Sequence, residues 1–152
     1  MPKLLPNQTS VVIVGGGVVG CSIAYHLVKL GISDVLLLER KQLSSGTTWH
    51  AAGLVGQLRA TQNLTQLAKY STDLYTRLEA ETGQATGFKQ NGSLSLAVNM
   101  ERLEELRRGA SMARVFGVEV EEIGPKDILA KYPLLNIDDV VGGVFLPKDG
   151  QI

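Results

Sequence analysis

Cysteine, surplus charge and long apolar runs are all scarce in this chain. A single cysteine, Cys21, stands among 152 residues, so no internal disulfide can form, and without CxxC or Cys/His spacing no metal site is expected. Lysine plus arginine and aspartate plus glutamate number 15 each, a formal charge of zero. That balance leaves no basic face for a phosphate backbone and predicts no nucleic-acid partner. The longest apolar run, residues 11–25, is too short and too broken by glycine to span a bilayer. The residues ahead of it are too few for a secretory or transit peptide. A soluble protein is expected, cytoplasmic, or in the mitochondrial matrix if a presequence is missing.

What is present is ordinary globular material, 44% hydrophobic and 20% charged, at a length that buries roughly two thirds of its unfolded surface. "VVIVGGGVVG", 11–20, opens with four β-branched residues, the pattern of a strand buried on both faces. Gly15, Gly17 and Gly20 then form GxGxxG: the first allows a tight strand-to-helix turn, the second close approach to a pyrophosphate, the third close helix–strand packing. Gly20, Ala24, Leu27 and Val28 repeat at helical spacing, and Gly31 supplies a helix stop. "DVLLLER", 34–40, reads as a second strand ending in Glu39, at the distance from the glycines where an acid reaches a ribose hydroxyl. This is a βαβ start without its third strand. The order of parts favours nucleotide binding over a ligand-free glycine turn, and Glu39 disfavours a 2′-phosphate. Cys21 reads as a packing residue beneath the turn.

"SGTTWHAAG", 45–53, holds the only tryptophan and one of two histidines among very small residues. Its hydroxyls and free backbone N–H groups suit a second contact with a long dinucleotide, for which FAD is the longer candidate and NAD the shorter. An imidazole at the ring edge of a flavin could act as base, hydrogen-bond donor or covalent tether. The candidate cofactor-binding residues are Gly15, Gly16, Gly17, Val18, Val19, Glu39, Arg40, Ser45, Gly46, Thr47, Thr48, His50, Ala52 and Gly53. Catalytic residues are left unassigned, Lys89 and Gln90 included.

From Val11 onward the chain resembles the sarcosine and dimethylglycine dehydrogenases, flavoproteins of the D-amino-acid-oxidase type. The resemblance rests on "VVIVGGGVVG", "LLLER", "SSGTTWHAAGLVGQLR", "TGFKQNGSLSLA" and "YPLLNIDDVVGGVFLPKDG", of which GTTWHAAG is far more specific than GxGxxG. It implies FAD, bound covalently by its 8α-methyl group to His50. It implies oxidation of the N-methyl group of a small secondary or tertiary amino acid, with hydride passing to the flavin. It also implies a folate partner through a C-terminal module of which none is found here. The expected fold is α/β, the N-terminal part of a Rossmann-like FAD-binding fold with helical and β insertions toward a substrate domain. In that reading residues 1–152 form an incomplete oxidoreductase domain. Residues 8–53 supply the dinucleotide-binding βαβ and flavin loop, and 54–152 a mixed helix and strand region. Alone, the segment is expected to retain FAD weakly and to lack turnover. Two alternatives stand beside it: a non-catalytic relative such as the pyruvate dehydrogenase phosphatase regulatory subunit, and an NAD-binding dehydrogenase.

Beyond the loop, a helix closed by Gly83 is expected to bury the stripe Leu64, Leu67, Ser71, Leu74 and Leu78. Strand structure is expected around Asn91 and Gly92. A second helix, 101–116, with Asn99 as its N-cap, should bury Leu103, Leu106, Ala110 and Ala113. A short strand over 118–123, a helix bounded by Pro125 and Pro133, and a last strand in "VVGGVFLPKDGQI" complete the reading.

Overall fold

The computed structural model describes residues 5–152, which fall into two compact units, up to Ala52 and from Gly53 onward. The first unit begins with strand β1 (Val11–Val14) and helix α1 (Val18–Lys29), and returns to strand β2 (Val35–Leu38). The two strands are parallel, with Val11 beside Val35 and Val14 beside Leu38. Asp34 fastens their open ends, its carboxylate accepting from the hydroxyl and N–H of Ser10 and from the Thr9 hydroxyl. Those bonds hold the Asp34 carboxyl below its usual range, the Ser10 hydroxyl contributing most.

The strand-to-helix turn depends on two glycines. Gly15 has φ +106°, a conformation that a side chain strains. A methyl group on Gly20 would overlap the Gly15 carbonyl oxygen, so the helix can lie this close to the strand end only where that residue has no side chain. Gly31, φ +89°, follows the last turn of α1. The expectation that β1 is buried on both faces does not hold. Ile13 is buried against the helix side, near Gly20, whereas Val14 is 84% exposed. One helix covers one face of a two-stranded sheet, and alternate side chains point to the other.

The second unit opens with strand β3 (Leu54–Val55) and the long helix α2 (Gln62–Thr82). Thr61 caps α2, its side chain accepting from the N–H of Leu64, and Gly83 ends it in a left-handed conformation. Strand β4 (Ser93–Ala97) follows, then helix α3 (Met100–Val115), strand β5 (Glu121–Ile123), helix α4 (Pro125–Lys131), strand β6 (Gly142–Leu146) and strand β7 (Gly150–Gln151). β6 lies between β4 and β5, antiparallel to both, and β3 pairs antiparallel with β7. Ala110 and Ala113 of α3 pack with Val118, Val144 and Leu146, flanked by Leu58, Leu106 and Val120. Asn99 caps α3 through the Arg102 N–H at 2.8 Å.

The expected leucine stripe of α2 is displaced. Leu64 and Leu67 are 53% and 62% exposed, while Thr65 and Thr72 are fully buried. Their hydroxyls make this burial possible: Thr65 accepts from the Arg59 N–H and donates to its carbonyl, and Thr72 donates to Ala68 O. A buried hydroxyl with a partner carries little penalty. The short strand expected over 118–123 is confined to 121–123, because Val118 is drawn into the core and its N–H bonds Ala113 O.

Asp149 organises the middle of this unit from a 6% exposed position. Its carboxylate accepts from the Gln57 N–H at 2.8 Å and the Ser93 hydroxyl at 2.6 Å, and its carbonyl accepts from the Gly92 N–H. Two segments distant in sequence are therefore held by Asp149.

Gly20→Ala should destabilise the first unit by about 1–3 kcal/mol through overpacking, read as a lowered denaturant midpoint. Asp149→Ala should cost the second unit at least about 2 kcal/mol by leaving the Gln57 amide and Ser93 hydroxyl without their acceptor. In both cases an unchanged unfolding curve would refute the assignment.

Candidate functional site

The glycine turn is closed by the chain segment that follows β2. Glu39, one residue beyond β2, reaches back so that Oε2 accepts from the Gly16 N–H at 2.8 Å, while Oε1 accepts from the Lys41 N–H at 2.8 Å. Gly16 in turn accepts at its carbonyl from the Ser44 N–H at 2.9 Å. The Cβ that Gly16 lacks would overlap Leu43 and press on the stem of Glu39. At Gly17 a Cβ would come within 3.1 Å of Thr48 Oγ1, and the same oxygen accepts from the Val18 N–H at 3.0 Å. Both glycines thus let the 39–48 segment approach the turn. This is an additional reason for small residues there, beside access for a ligand.

Charge follows from the same geometry. The Gly16 N–H, then the Lys41 N–H, hold the Glu39 carboxyl below the ordinary glutamate value. Glu39 is half-buried, and each oxygen keeps lone-pair capacity for a further donor such as a ribose hydroxyl. Gly17 precedes the first turn of α1 and Val19 lies in it; among the described residues neither N–H has an acceptor. Unpaired amides at the positive end of a helix of 12 residues suit an anionic oxygen. The free N–H groups of Gly17 and Val19 and the carboxylate of Glu39 are donor and acceptor types that could hold a diphosphate and a ribose hydroxyl.

Of the residues read from sequence, the structure brings Gly15, Gly16, Gly17, Val18, Val19, Glu39 and Thr48 together. Arg40 follows Glu39 and is exposed. Ser45 and Gly46 lead into a 3-10 turn, Thr47–His50, in which Trp49 and His50 are both exposed. Ala52 ends the first unit. Gly53 begins the second, with φ +74° and its α-carbon against Ile152 O, so a side chain there would disturb the end of the β3–β7 pair. Leu43 and Ser44 were not singled out from the sequence. Leu43 shows only as one apolar residue in a polar stretch, and Ser44, whose φ is +63°, is marked only as the start of the Ser-, Gly- and Thr-rich segment 44–48. Cys21 lies under the turn, its thiol 3.5 Å from Gly16 O.

The second unit holds an open cavity of about 620 Å³, bordered by Leu54, Gly56, Arg59, Leu94, Tyr132 and Asp149 among others. The Asp149 carboxylate is committed to Gln57 and Ser93. Lys89 bridges Gln151 through backbone, and the Gln90 side chain donates to Lys148 O, so both serve the frame. Among the described residues no cluster of three or more His, Cys, Asp or Glu could hold a metal ion, and no helix is long and apolar enough to cross a membrane.

Because Glu39 is more acidic in the folded chain than at its usual 4.5, its contribution is complete above that value and is lost as pH falls through the lower folded value. The stability difference between wild type and Glu39→Gln should therefore be larger at pH 7 than at pH 3 in paired urea titrations. A difference that grew toward acid would contradict the hydrogen bonds assigned to Glu39.

Comparison with known proteins places this geometry in a family. The model of the family described as "DAO: FAD dependent oxidoreductase" matches residues 10–152. The chain is 46% identical over 149 residues to sarcosine dehydrogenase, mitochondrial, of Homo sapiens, covering 97% of this chain and 16% of that protein. It is 44% identical to dimethylglycine dehydrogenase, mitochondrial, of Rattus norvegicus (99% and 18%). It is 43% identical to the pyruvate dehydrogenase phosphatase regulatory subunit, mitochondrial, of Mus musculus (97% and 17%). The chain thus spans about a sixth of the length of these relatives. Among solved structures, L-proline dehydrogenase from P. horikoshii superposes with a TM-score of 0.88 at 31% identity, over 97% of this chain and 38% of that one. A family defined by FAD sets the NAD alternative aside: the chain belongs to the DAO family of FAD-dependent oxidoreductases.

Proposed function

We propose that this chain forms the dinucleotide-binding opening of an enzyme that oxidises the N-methyl group of a small secondary or tertiary amino acid, of the sarcosine or dimethylglycine kind. The observation that carries the reading is the closure of the glycine turn by Glu39 and Thr48 in a chain 44–46% identical to dehydrogenases of those two substrates. Residues 8–53 are read as the dinucleotide and flavin-loop region, and 54–152 as the part leading to a substrate domain. FAD, when bound, supplies the redox chemistry by accepting a hydride from the methyl carbon, after which hydrolysis of the resulting imine releases formaldehyde. The chain's own contribution is binding and orientation. Gly17 and Val19 donate N–H groups to the diphosphate, Glu39 accepts from the ribose, and the 45–53 loop carries His50 as the covalent attachment point. A neutral imidazole is a competent nucleophile near pH 7.

Formaldehyde so released would be captured by a folate carrier on a further module, a partner that follows from the resemblance. The lone cysteine fits a reducing compartment, cytoplasm or mitochondrial matrix, and three relatives carry "mitochondrial" in their names. A second reading, a regulatory protein without amine oxidation, is favoured by the similarity to the phosphatase regulatory subunit.

Full-length protein denatured in acid should keep its yellow colour on the polypeptide, and His50→Ala should convert that colour to a dissociable form while FAD still binds. Sarcosine or dimethylglycine added without oxygen should bleach the visible flavin band. Colour that washes away in acid removes the tether, and a flavin that no N-methyl amino acid bleaches supports the regulatory reading instead.

A further inference from the structure

We propose that Thr48 is a positioning residue for flavin attachment: its hydroxyl ties the short turn that carries His50 to the first amide of α1. This rests on reading His50 as the tether. Thr48 Oγ1 accepts from the Val18 N–H at 3.0 Å, joining residues thirty apart in sequence. The rest of the turn bonds to itself, Trp49 N–H to Gly46 O and Ala51 N–H to Thr48 O. Among the described residues, no other hydrogen bond joins 45–52 to the glycine turn or to α1; the preceding anchor is the Ser44 N–H on Gly16 O. His50 follows Thr48 by two positions in the same 3-10 turn, an advance of roughly 4 Å along its axis. The hydroxyl is therefore the anchor nearest the imidazole.

Gly17 belongs to this device. The position of its missing Cβ is 3.1 Å from Thr48 Oγ1, so a side chain there would crowd the hydroxyl away from the Val18 amide. That amide has no partner within the helix itself, being at its start, where an acceptor oxygen is favoured by the backbone dipoles. The Thr48 oxygen accepts from Val18 through a lone pair, so its own O–H proton stays available for a further acceptor. One side chain thus links the element that faces the diphosphate to the turn that meets the far end of the same ligand.

Attachment forms a C–N bond between an imidazole nitrogen and the 8α carbon. The imidazole N–H and one methyl C–H are lost, and dioxygen carries away both hydrogens as hydrogen peroxide, which balances the two-electron oxidation. Such a reaction needs the nitrogen held within about 3–3.5 Å of the carbon, and its rate is sensitive to displacements of about 1 Å. A turn released at Thr48 would visit that geometry less often while leaving the diphosphate donors of Gly17 and Val19 in place.

The test uses full-length apoprotein from riboflavin-starved cells, mixed with FAD in air, quenched in acid over time and read as protein-bound colour. Thr48→Val keeps the shape and removes the hydroxyl; it should slow attachment by roughly tenfold or more, and Thr48→Ser should restore the rate to within about threefold of wild type. FAD affinity, measured on a His50→Ala background with and without Thr48→Val, should fall by a smaller factor than the attachment rate does. Thr48→Ala gives the same comparison if valine disturbs folding. Attachment at the wild-type rate in Thr48→Val, a serine variant as slow as valine, or a rate loss matched by lost affinity would each overturn the proposal. Wild-type protein that never acquires acid-stable flavin would overturn the His50 tether itself, a result visible before any Thr48 variant is compared.

Discussion

The contact between the α-carbon of Gly20 and the carbonyl of Gly15 fixes the start of α1 against the end of β1. No other residue type fits, since a single methyl group would occupy the space of the oxygen. Once that approach is made, the first amides of the helix emerge at a defined place, next to a turn whose residues 15–17 have no side chains. Everything assigned to the site uses this frame: Glu39 reaches the Gly16 amide, Thr48 the Val18 amide, and the amides of Gly17 and Val19 are left over. The interval between captured and unpaired donors is what makes the turn a cradle rather than a tight reverse turn alone.

Two side chains from one return segment thus hold alternate amides of the turn. Glu39 brings a full negative charge to the turn, and the N–H groups of Gly16 and Lys41 that it accepts from make it more acidic than an ordinary glutamate. Thr48 brings a neutral oxygen. The arrangement is built from this chain's own groups, two side chains and the backbone amides of the turn. It also shows why three consecutive glycines are needed where the motif demands only two of them: Gly16 is the position over which Leu43 and Glu39 close.

Much of the first unit was legible in its sequence, because four β-branched residues, spaced glycines and a terminal acid are local signals with local causes. Helices α3 and α4 were legible for the same reason, through Asn99 as a cap and Pro125 and Pro133 as limits. What could not be read depended on distant partners. The exposure of Val14 depends on what lies over the sheet, and nothing in four consecutive β-branched residues records that. Helix α2 buries threonines in place of Leu64 and Leu67 because Thr65 finds the backbone of Arg59 and Thr72 that of Ala68. Asp149 sits in an ordinary "KDG" turn in sequence, yet bonds segments 56 and 92 positions away. The boxed histidine was conspicuous, but the hydroxyl two residues before it gave no sign of the amide it would meet.

The central claim is that the glycine turn grips the diphosphate of an adenine dinucleotide. The most direct measurement is the amide spectrum of ¹⁵N-labelled protein titrated with ADP, which carries the ribose and diphosphate without the flavin ring. Saturable shifts largest at Gly17 and Val19, with the Gly16 amide that Glu39 holds moving alongside, are the predicted result. Saturable shifts centred elsewhere, or none at millimolar ADP, would contradict the account.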